Sequence, residues 1–305
     1  MIDREPDWTL LRSFLLVLEQ GGLSGAARVS GQSQPTLGRH VDALEAALGV
    51  NLFTRSPAGL APTEHALLLA PHARAMASAA ATFSRAASGG LAEERGVVRV
   101  SASEIIGCEV LPQILASLRR EYPLIDVELA LSNQNADLLR RDADMAVRMV
   151  RPTQAALLAR HIGASPVGLF AHQSYLDALG APQKLEDLKR HRLIGYDRDD
   201  RIWRLAGPPG ANLSRQSFGL RCDSDMAQLA ALRAGAGIGV CQNLLTGKTP
   251  GLCAVLPEAM QFPLEIYLVM HEDLKATRRL RLVYAHLAEG LQAFVAGRLF
   301  GRAAA

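Results

Sequence analysis

The sequence has few aromatic residues, few lysines and no clustered cysteines. Aromatic residues make up 5% of the 305 residues, and 4 of the 33 basic residues are lysine. The four cysteines form no CxxC pair, and neither they nor the eight dispersed histidines have zinc-ligand spacing. The sequence therefore predicts no metal and no cofactor, and it favours reduced thiols over a disulfide framework.

Long hydrophobic runs are also missing. The apolar stretches are far shorter than the roughly 18 residues that a membrane helix needs. The polar, acidic start from Met1 to Trp8 lacks the basic and apolar regions of a signal peptide. We therefore expect a cytoplasmic protein with no membrane partner. With 49% hydrophobic and 21% charged residues, a chain of this length is expected to form two globular domains.

Catalytic signatures are absent as well. The sequence contains no GxSxG or HExxH motif and no phosphate-binding P-loop. The run from Gly235 to Gly239 is rich in glycine like a dinucleotide-binding loop. However, it follows a predicted helix and leads into a predicted strand, which is the reverse of the order that such a loop requires. The sequence predicts a protein that is not an enzyme and has no catalytic residues.

The first ninety residues are predicted to form helices with a small β-wing. Apolar residues at 3-4-3 spacing predict a helix from Trp8 to Gln20, and a short helix follows over 25–29. Ser33 is a good cap for the next helix, which continues to about Ala47 and has Pro35 in its first turn. Residues 50–62 resemble a β-wing.

A long alanine-rich helix follows the wing, with Thr63 as its cap and its end near Ser88. Pro71 inside it predicts a bend or a local break. The stretch from Gly89 to Gly96 is predicted to be a hinge.

After residue 96, strands and helices alternate, which indicates a mostly parallel sheet with helices on both faces. The predicted strands cover 97–101, 125–131, 145–150, 167–171, 192–196, 238–241 and 264–271. The predicted helices cover 110–121, 136–141, 185–189, 226–234 and 280–297.

The helix that begins after Ser33 has two distinct faces. Its predicted buried stripe is Leu37, Val41, Leu44 and Leu48, and its opposite face carries Pro35, Thr36, Arg39, Asp42 and Ala43. Arg39 can reach guanine or a phosphate, Gln34 can read adenine, and the helix N-terminus favours a phosphate. This arrangement is typical of the recognition helix of a helix-turn-helix.

An ordinary helical hairpin is the alternative on spacing alone. The charge favours that alternative, because residues 1–62 contain five arginines against six carboxylates, a net charge of −1. Binding to DNA would then depend on a few placed groups that are repeated across subunits.

Specific motifs add to this interpretation. The N-terminal region strongly resembles the winged helix-turn-helix of LysR-type transcriptional regulators through Ala26-Ala27-Arg28, Ser33-Gln34-Pro35-Thr36-Leu37-Gly38-Arg39-His40-Val41, Leu44-Glu45, Leu48-Gly49-Val50-Asn51-Leu52-Phe53-Thr54-Arg55 and Pro62-Thr63-Glu64. The remainder resembles that family's effector domain through Leu111-Pro112, Tyr122-Pro123, Asp144-Met145-Ala146-Val147 and Gly235-Ala236-Gly237-Ile238-Gly239. The resemblance covers essentially the whole chain.

The resemblance implies a multi-domain fold. An N-terminal all-α winged helix-turn-helix over 1–62 would be followed by a long linker and dimerisation helix over 63–90. An α/β effector domain of the periplasmic-binding-protein type would cover 91–305. Its subdomain I would comprise 97–165 and 265–305, and its subdomain II 166–264.

The resemblance also implies partners. They are double-stranded promoter DNA, a small-molecule co-inducer in the cleft between the subdomains, and further copies of the chain in a dimer and a tetramer. RNA polymerase is a further candidate partner.

The sequence pattern and the family resemblance together predict the binding-site residues. The expected DNA-binding residues are Ser33, Gln34, Pro35, Thr36, Arg39 and Arg55. The expected effector-binding residues are Ser103, Glu104, Asn133, Arg148, Tyr196, Ser224 and Gln242. Three places depart from the family: Gly38 stands where serine is usual, His65-Ala66 stands where Ala-Gly is usual, and Gln242 stands where proline is usual. A solute-binding protein or a redox sensor that uses Cys108 and Cys241 remains the alternative on the same fold.

Overall fold

The computed structural model describes residues 6–56, 59–87, 93–133, 143–152, 157–198, 214–259 and 261–299. These residues belong to two compact units, one that extends to Ala87 and one that follows it. Within the described part of the chain, no helix combines the length and the hydropathy that a membrane span requires.

The first unit consists of three helices, a two-stranded wing and a long helix. Its elements are α1 (Trp8–Glu19), α2 (Leu23–Ser30), α3 (Gln34–Leu48), β1 (Phe53–Ser56), β2 (Gly59–Pro62) and α4 (Glu64–Ala87). Polar caps begin the helices: the Asp7 side chain accepts a hydrogen bond from the Thr9 amide, and Thr63 Oγ1 accepts one from the Ala66 amide at 3.2 Å. Phe14, Leu44 and Leu52 lie in the core between these elements.

The long helix α4 continues through Pro71. Of the two outcomes expected there, the local break is therefore wrong. A proline removes one N–H and crowds the carbonyl four residues earlier, which belongs to Leu67. Leu67 is 59% exposed, so solvent is close to this turn of the helix. The predicted hinge lies partly outside the described residues.

The second unit is an α/β fold. Its strands are β3 (Gly96–Ala102), β4 (Ile125–Leu131), β5 (Met145–Arg148), β6 (Leu157–His172), β7 (Leu193–Gly195), β8 (Phe218–Arg221), β9 (Gly239–Gln242), β10 (Leu252–Val255) and β11 (Gln261–His271). Its α-helices are α5 (Leu111–Glu121), α6 (Gln173–Leu179), α7 (Asp225–Arg233) and α8 (Arg278–Val295). A π-helical turn over Ile106–Val110 leads into α5. The predicted helix 136–141 lies outside the described residues.

The main sheet is mixed, so the expectation of mostly parallel pairing is wrong. Its order is β10-β6-β11-β5-β3-β4, and β9 also pairs with β6. Among the described strands of this sheet, β3 alone pairs in parallel, with β4 and with β5, whereas β11 runs antiparallel to both β5 and β6. β5 and β6 lie on either side of β11 and both run antiparallel to it, and β10 and β11 both run antiparallel to β6. The antiparallel pairs of this sheet therefore join strands that are distant in the sequence.

The strands β6 and β11 are longer than the sequence indicated and pair with each other along almost the whole of β11. Their register shifts between Ile266 and Tyr267, close to Gly163, which has φ of +146°. Both strands pass through the boundaries expected between the two subdomains, at 165–166 and at 264–265. The hydrophobic cluster around Val100, Leu268 and Leu287 covers one part of this sheet, and a smaller cluster around Leu169 and Phe218 covers another.

Candidate functional site

The exposed end of α3 is built by its cap. Ser33 Oγ accepts a hydrogen bond from the Thr36 amide at 3.3 Å and lies 2.8 Å from Thr36 Oγ1. Pro35 occupies the first turn, where its missing N–H costs nothing. The two hydroxyls therefore fix the start of the helix.

The two faces of α3 separate as the periodicity predicts. Leu37, Val41 and Leu44 are buried, and Leu48 is half-buried. On the opposite face Ser33, Gln34, Pro35 and Arg39 are exposed, and Thr36 is half-buried. A shallow depression runs along this face, lined by Leu23, Gln34, Pro35, Gly38, Arg39 and Asp42. Within the described residues, no carboxylate forms an ion pair with Arg39, so its guanidinium is available to a ligand.

Gly38 lies on the floor of this depression. A Cβ atom built at Gly38 meets only Leu23 Cδ1, at 3.8 Å, which is ordinary van der Waals contact. Neither a steric restriction nor a positive φ therefore requires glycine at this position. The helix therefore presents bare backbone to the depression at this position.

The wing is tied to α3 by Glu45. Its Oε1 accepts hydrogen bonds from the backbone amides of Leu52 and Phe53. Arg55 lies on β1, and its side chain is outside the described part of the structure. Sequence reasoning missed the role of Glu45, because a lone glutamate on a helix carries no signal of a contact seven residues away.

A second candidate site is a cavity of about 160 Å³ inside the second unit. Its lining is mostly apolar and comes from α7, β6, β9, β11 and the residues next to the π-turn, β7 and β9. The lining residues are Ile105, Val167, Tyr196, Asp225, Gln228, Leu229, Val240, Cys241, Gln242, Leu245, Phe262 and Leu264. Of the seven expected effector-binding residues, Tyr196 and Gln242 line it.

A chain of hydrogen bonds crosses one edge of this cavity. Asn133 Oδ1 accepts from the Glu104 amide at 3.0 Å, and Asn133 Nδ2 donates to Asp225 Oδ2 at 2.9 Å. The hydroxyl of Tyr196 donates to Asp225 Oδ1. This network brings Glu104, Asn133 and Tyr196 together, and it links segments 92 residues apart in the sequence.

Two of the expected residues have structural contacts instead. Arg148 is 3% exposed, and its guanidinium donates to Ser132 O at 2.9 Å and to Ser101 Oγ at 2.7 Å. Arg148 therefore holds neighbouring strands together and does not line the cavity. Ser224 caps α7 by accepting from the Ala227 amide, and it too is absent from the lining. Arginine at the end of a strand and serine before a helix are ambiguous, because burial and capping use the same residues as ligand binding.

Buried polar atoms without a described partner mark the same region. They include Ser103 Oγ, Glu104 Oε2 and Gln242 Oε1. Ser103 and Glu104 directly precede Ile105, which lines the cavity, and Gln242 itself lines it. Native proteins leave few such atoms unpaired, so each of these atoms is a candidate contact for a ligand.

An ion cluster lies beside Cys241. Arg233 donates to both carboxylate oxygens of Glu109, at 2.8 and 2.7 Å, and Lys248 Nζ lies 3.9 Å from Glu109 Oε2. The hydrogen bonds from Arg233 lower the pKa of Glu109 despite its burial. Glu109 follows β3, whereas Arg233 and Lys248 belong to the segment between β6 and β11, so the cluster is a second link across the unit.

The cysteines do not support the redox alternative. Burial raises the pKa of Cys241 to about 12 and also raises the pKa of Cys108. The thiolate is the reactive form of cysteine, and a thiol with such a pKa contains almost none of it at neutral pH. All four cysteines are free thiols. Cys241 instead contributes apolar surface to the cavity.

Two family models match the chain. Residues 8–67 match the bacterial regulatory helix-turn-helix protein of the lysR family, and residues 91–292 match the LysR substrate binding domain. The first match contains α1 to β2 with the exposed face of α3, and the second contains the whole cavity lining.

Curated relatives point the same way. The chain is 27% identical over 284 residues to the HTH-type transcriptional activator AaeR of Escherichia coli, a match that covers 90% of this chain and 91% of that protein. It is 28% identical over 193 residues to an HTH-type transcriptional regulator of Xanthomonas campestris, but that match covers 62% of this chain and only 55% of the relative.

Solved structures share the fold. The full-length virulence activator AphB of Vibrio cholerae superposes with a TM-score of 0.61 at 22% identity, over 92% of this chain and 98% of that one. Full-length CbnR in complex with its target DNA superposes with a TM-score of 0.60 at 20% identity, over 93% and 99%. Together with the two family models, which span most of the sequence, these matches show that the chain belongs to the LysR family of transcriptional regulators.

Proposed function

We propose that this regulator reads promoter DNA in a sequence-specific way with the first half of α3. The contacts would come from Ser33, Gln34, Pro35, Thr36 and Arg39, with Arg55 from the wing. The observation that carries the proposal is the exposed Arg39 on a helix whose opposite face is buried. A helix held in this way can enter the major groove without exposing its core.

The chemistry of each residue fits this role. The guanidinium of Arg39 matches guanine O6 and N7, and the amide of Gln34 matches adenine. The N-terminal end of α3 favours a nearby phosphate. Because residues 1–62 carry a net charge of −1, each subunit neutralises few phosphates, and the affinity should fall only moderately with salt. The solved complex of CbnR with its target DNA supports this proposal by analogy of fold.

Self-association through α4 would supply the second reading helix. Leu68, Met76 and Phe83 are 68%, 46% and 77% exposed and lie within 80° of one another around the helix. Apolar residues seven and eight positions apart are typical of a helix that packs on a partner helix. The proposed dimer buries this stripe and doubles the contacts with DNA, and two dimers would form the tetramer.

The cavity of the second unit is the proposed site of a small-molecule effector. Its lining joins the Asn133 network to the strands β6, β9 and β11. A ligand there can regulate DNA binding only if it binds one quaternary state more tightly than another. The two polar links across this unit, at Asp225 and at Glu109, are the contacts that such a shift would change.

Selection of genomic DNA fragments by the full-length protein tests the proposal. We expect the bound fragments to share one motif with two-fold symmetry, since a dimer presents two copies of α3. The motif should then show protection in a footprint. Fragments that share no motif would contradict sequence-specific binding.

A further inference from the structure

We propose that the effector is a small uncharged ring compound that carries one hydrogen-bond donor, as phenol does. This inference rests on the proposed effector site and adds the chemical class of its ligand. It follows from three properties of the cavity, namely its size, its charge and the buried, unpaired acceptor of Gln242 in its lining.

The size of the cavity sets the size of the ligand. A volume of about 160 Å³ is close to the ~150 Å³ of an apolar protein cavity that holds benzene. Leu229, Leu245, Phe262 and Leu264 are among the apolar residues around it. A single six-membered ring with one short substituent therefore fits, and burying its apolar surface supplies most of the binding free energy.

The charges around the cavity exclude an anion. The described residues that line it include no arginine, lysine or histidine, but they do include Asp225. The adjoining Glu104 adds a second carboxylate. The buried guanidinium of Arg148 donates to Ser132 and Ser101 and does not line the cavity. A carboxylate ligand would lose its hydration without gaining a cation, which costs several kcal/mol.

The unpaired acceptor in the lining would be satisfied by a hydrogen-bond donor on the ligand. Gln242 is 7% exposed, lines the cavity and has no described hydrogen-bond partner for its Oε1. Asp225 already accepts hydrogen bonds from Tyr196 and Asn133, and Gln228 Nε2 donates to Cys222 O at 2.7 Å. One O–H or N–H on the ligand would satisfy Gln242 Oε1.

A cation fits less well than a neutral donor. An ammonium group has three donors and needs several acceptors when it is desolvated. Each oxygen of Asp225 already accepts a hydrogen bond, from Asn133 or from Tyr196. An ammonium would have to share these oxygens with the two existing donors, whereas a neutral ligand with one donor needs only Gln242 Oε1.

The test compares four probes of the same ring on the full-length protein at pH 7 by isothermal titration calorimetry. The probes are phenol, toluene, benzoate and benzylamine. We expect phenol to bind at least about tenfold more tightly than benzoate and benzylamine, a difference of ~1.4 kcal/mol. Tighter binding of benzoate or of benzylamine would overturn the proposal, and so would the absence of phenol binding at millimolar concentration.

The variant Gln242→Leu tests the polar contact. We expect the ratio of phenol affinity to toluene affinity to fall about tenfold, because one hydrogen bond is lost while the apolar lining is kept. The matched control is Gln292→Leu at an exposed position of α8, where the ratio should not change. An unchanged ratio in Gln242→Leu would contradict the role of Gln242. If this variant does not fold, the ranking of the four probes on the wild-type protein still decides the proposal.

Binding of the selected DNA motif, measured on the same samples, separates this inference from the proposed function. If the motif binds but the probes rank otherwise, the ligand class is wrong and DNA reading stands. If no motif is selected while phenol binds through Gln242, the proposed DNA reading is wrong and the ligand class stands.

Discussion

Glu45 of α3 holds the start of the wing through its backbone. One carboxylate oxygen, Oε1, accepts hydrogen bonds from the Leu52 amide at 2.6 Å and from the Phe53 amide at 3.0 Å. Such charge-assisted bonds are about twice as strong as neutral ones. The contact makes the position of the wing depend on the same helix that carries Arg39.

Replacing Glu45 should loosen the wing. In Glu45→Ala the two amides lose their acceptor, at a cost of roughly 1–3 kcal/mol. We expect amide hydrogen exchange at Leu52 and Phe53 to become about 5- to 150-fold faster. Glu45→Gln keeps an oxygen at the same place and should show a smaller increase. Equal exchange in the wild type and Glu45→Ala would contradict this role.

Glu109 should make the stability of the second unit depend on pH. Arg233 lowers the folded pKa of Glu109, so the ionised carboxylate contributes stability above its unfolded pKa of about 4.3. That contribution is lost as the pH falls through the lower folded pKa. Glu109→Gln should therefore destabilise the unit by roughly 1–3 kcal/mol at pH 7 and by less at pH 3.5, as measured by urea unfolding.

The matched control for Glu109 is Glu128→Gln. Glu128 pairs with Arg99 at 3.0 Å, but both side chains are largely exposed. Exposed pairs contribute ~0–1 kcal/mol. Losses of equal size in the two variants, or a loss in Glu109→Gln that does not depend on pH, would refute the proposed linkage.

The sequence predicted the first unit better than the second. Short-range signals define α3, because its cap at Ser33 and its apolar stripe lie within one helix. The strand β6 was missed from Leu157 to Pro166, because Arg160 and His161 interrupt its apolar pattern on an exposed section. Mixed pairing in the sheet could not be seen, since strand direction depends on contacts distant in sequence.

Only polar residues of the cavity lining could be predicted from the sequence. Tyr196 was predicted because it is a polar side chain directly after a strand. Gln242 was predicted because it stands where the family usually has proline. Phe262 and Leu264 look like any core residues in the sequence. Asp225 accepts a hydrogen bond from Asn133, which lies 92 residues away in the sequence, and no local sequence pattern predicts such a contact.

Phe83 tests the proposed dimer. It is 77% exposed on the apolar stripe of α4, and a charge there would have to be buried in the dimer. We expect Phe83→Glu to weaken self-association at least about tenfold in analytical ultracentrifugation, because a buried unpaired charge is costly. Ser84→Glu adds the same charge next to the stripe and should leave the dimer intact. A dimer of normal affinity in Phe83→Glu would exclude this stripe.

The central claim is that Arg39 reads DNA. The most direct measurement is the affinity of Arg39→Ala for the selected motif by fluorescence anisotropy, with Arg12→Ala of α1 as an exposed control of the same charge change. Loss of a bidentate contact with guanine costs ~1–3 kcal/mol per subunit, so we expect a dimer to lose specific binding by at least about thirtyfold. Arg39→Ala should keep the oligomeric state and the thermal stability of the wild type. Binding by Arg39→Ala that equals that of Arg12→Ala and of the wild type would contradict the assignment of this face of α3 to DNA.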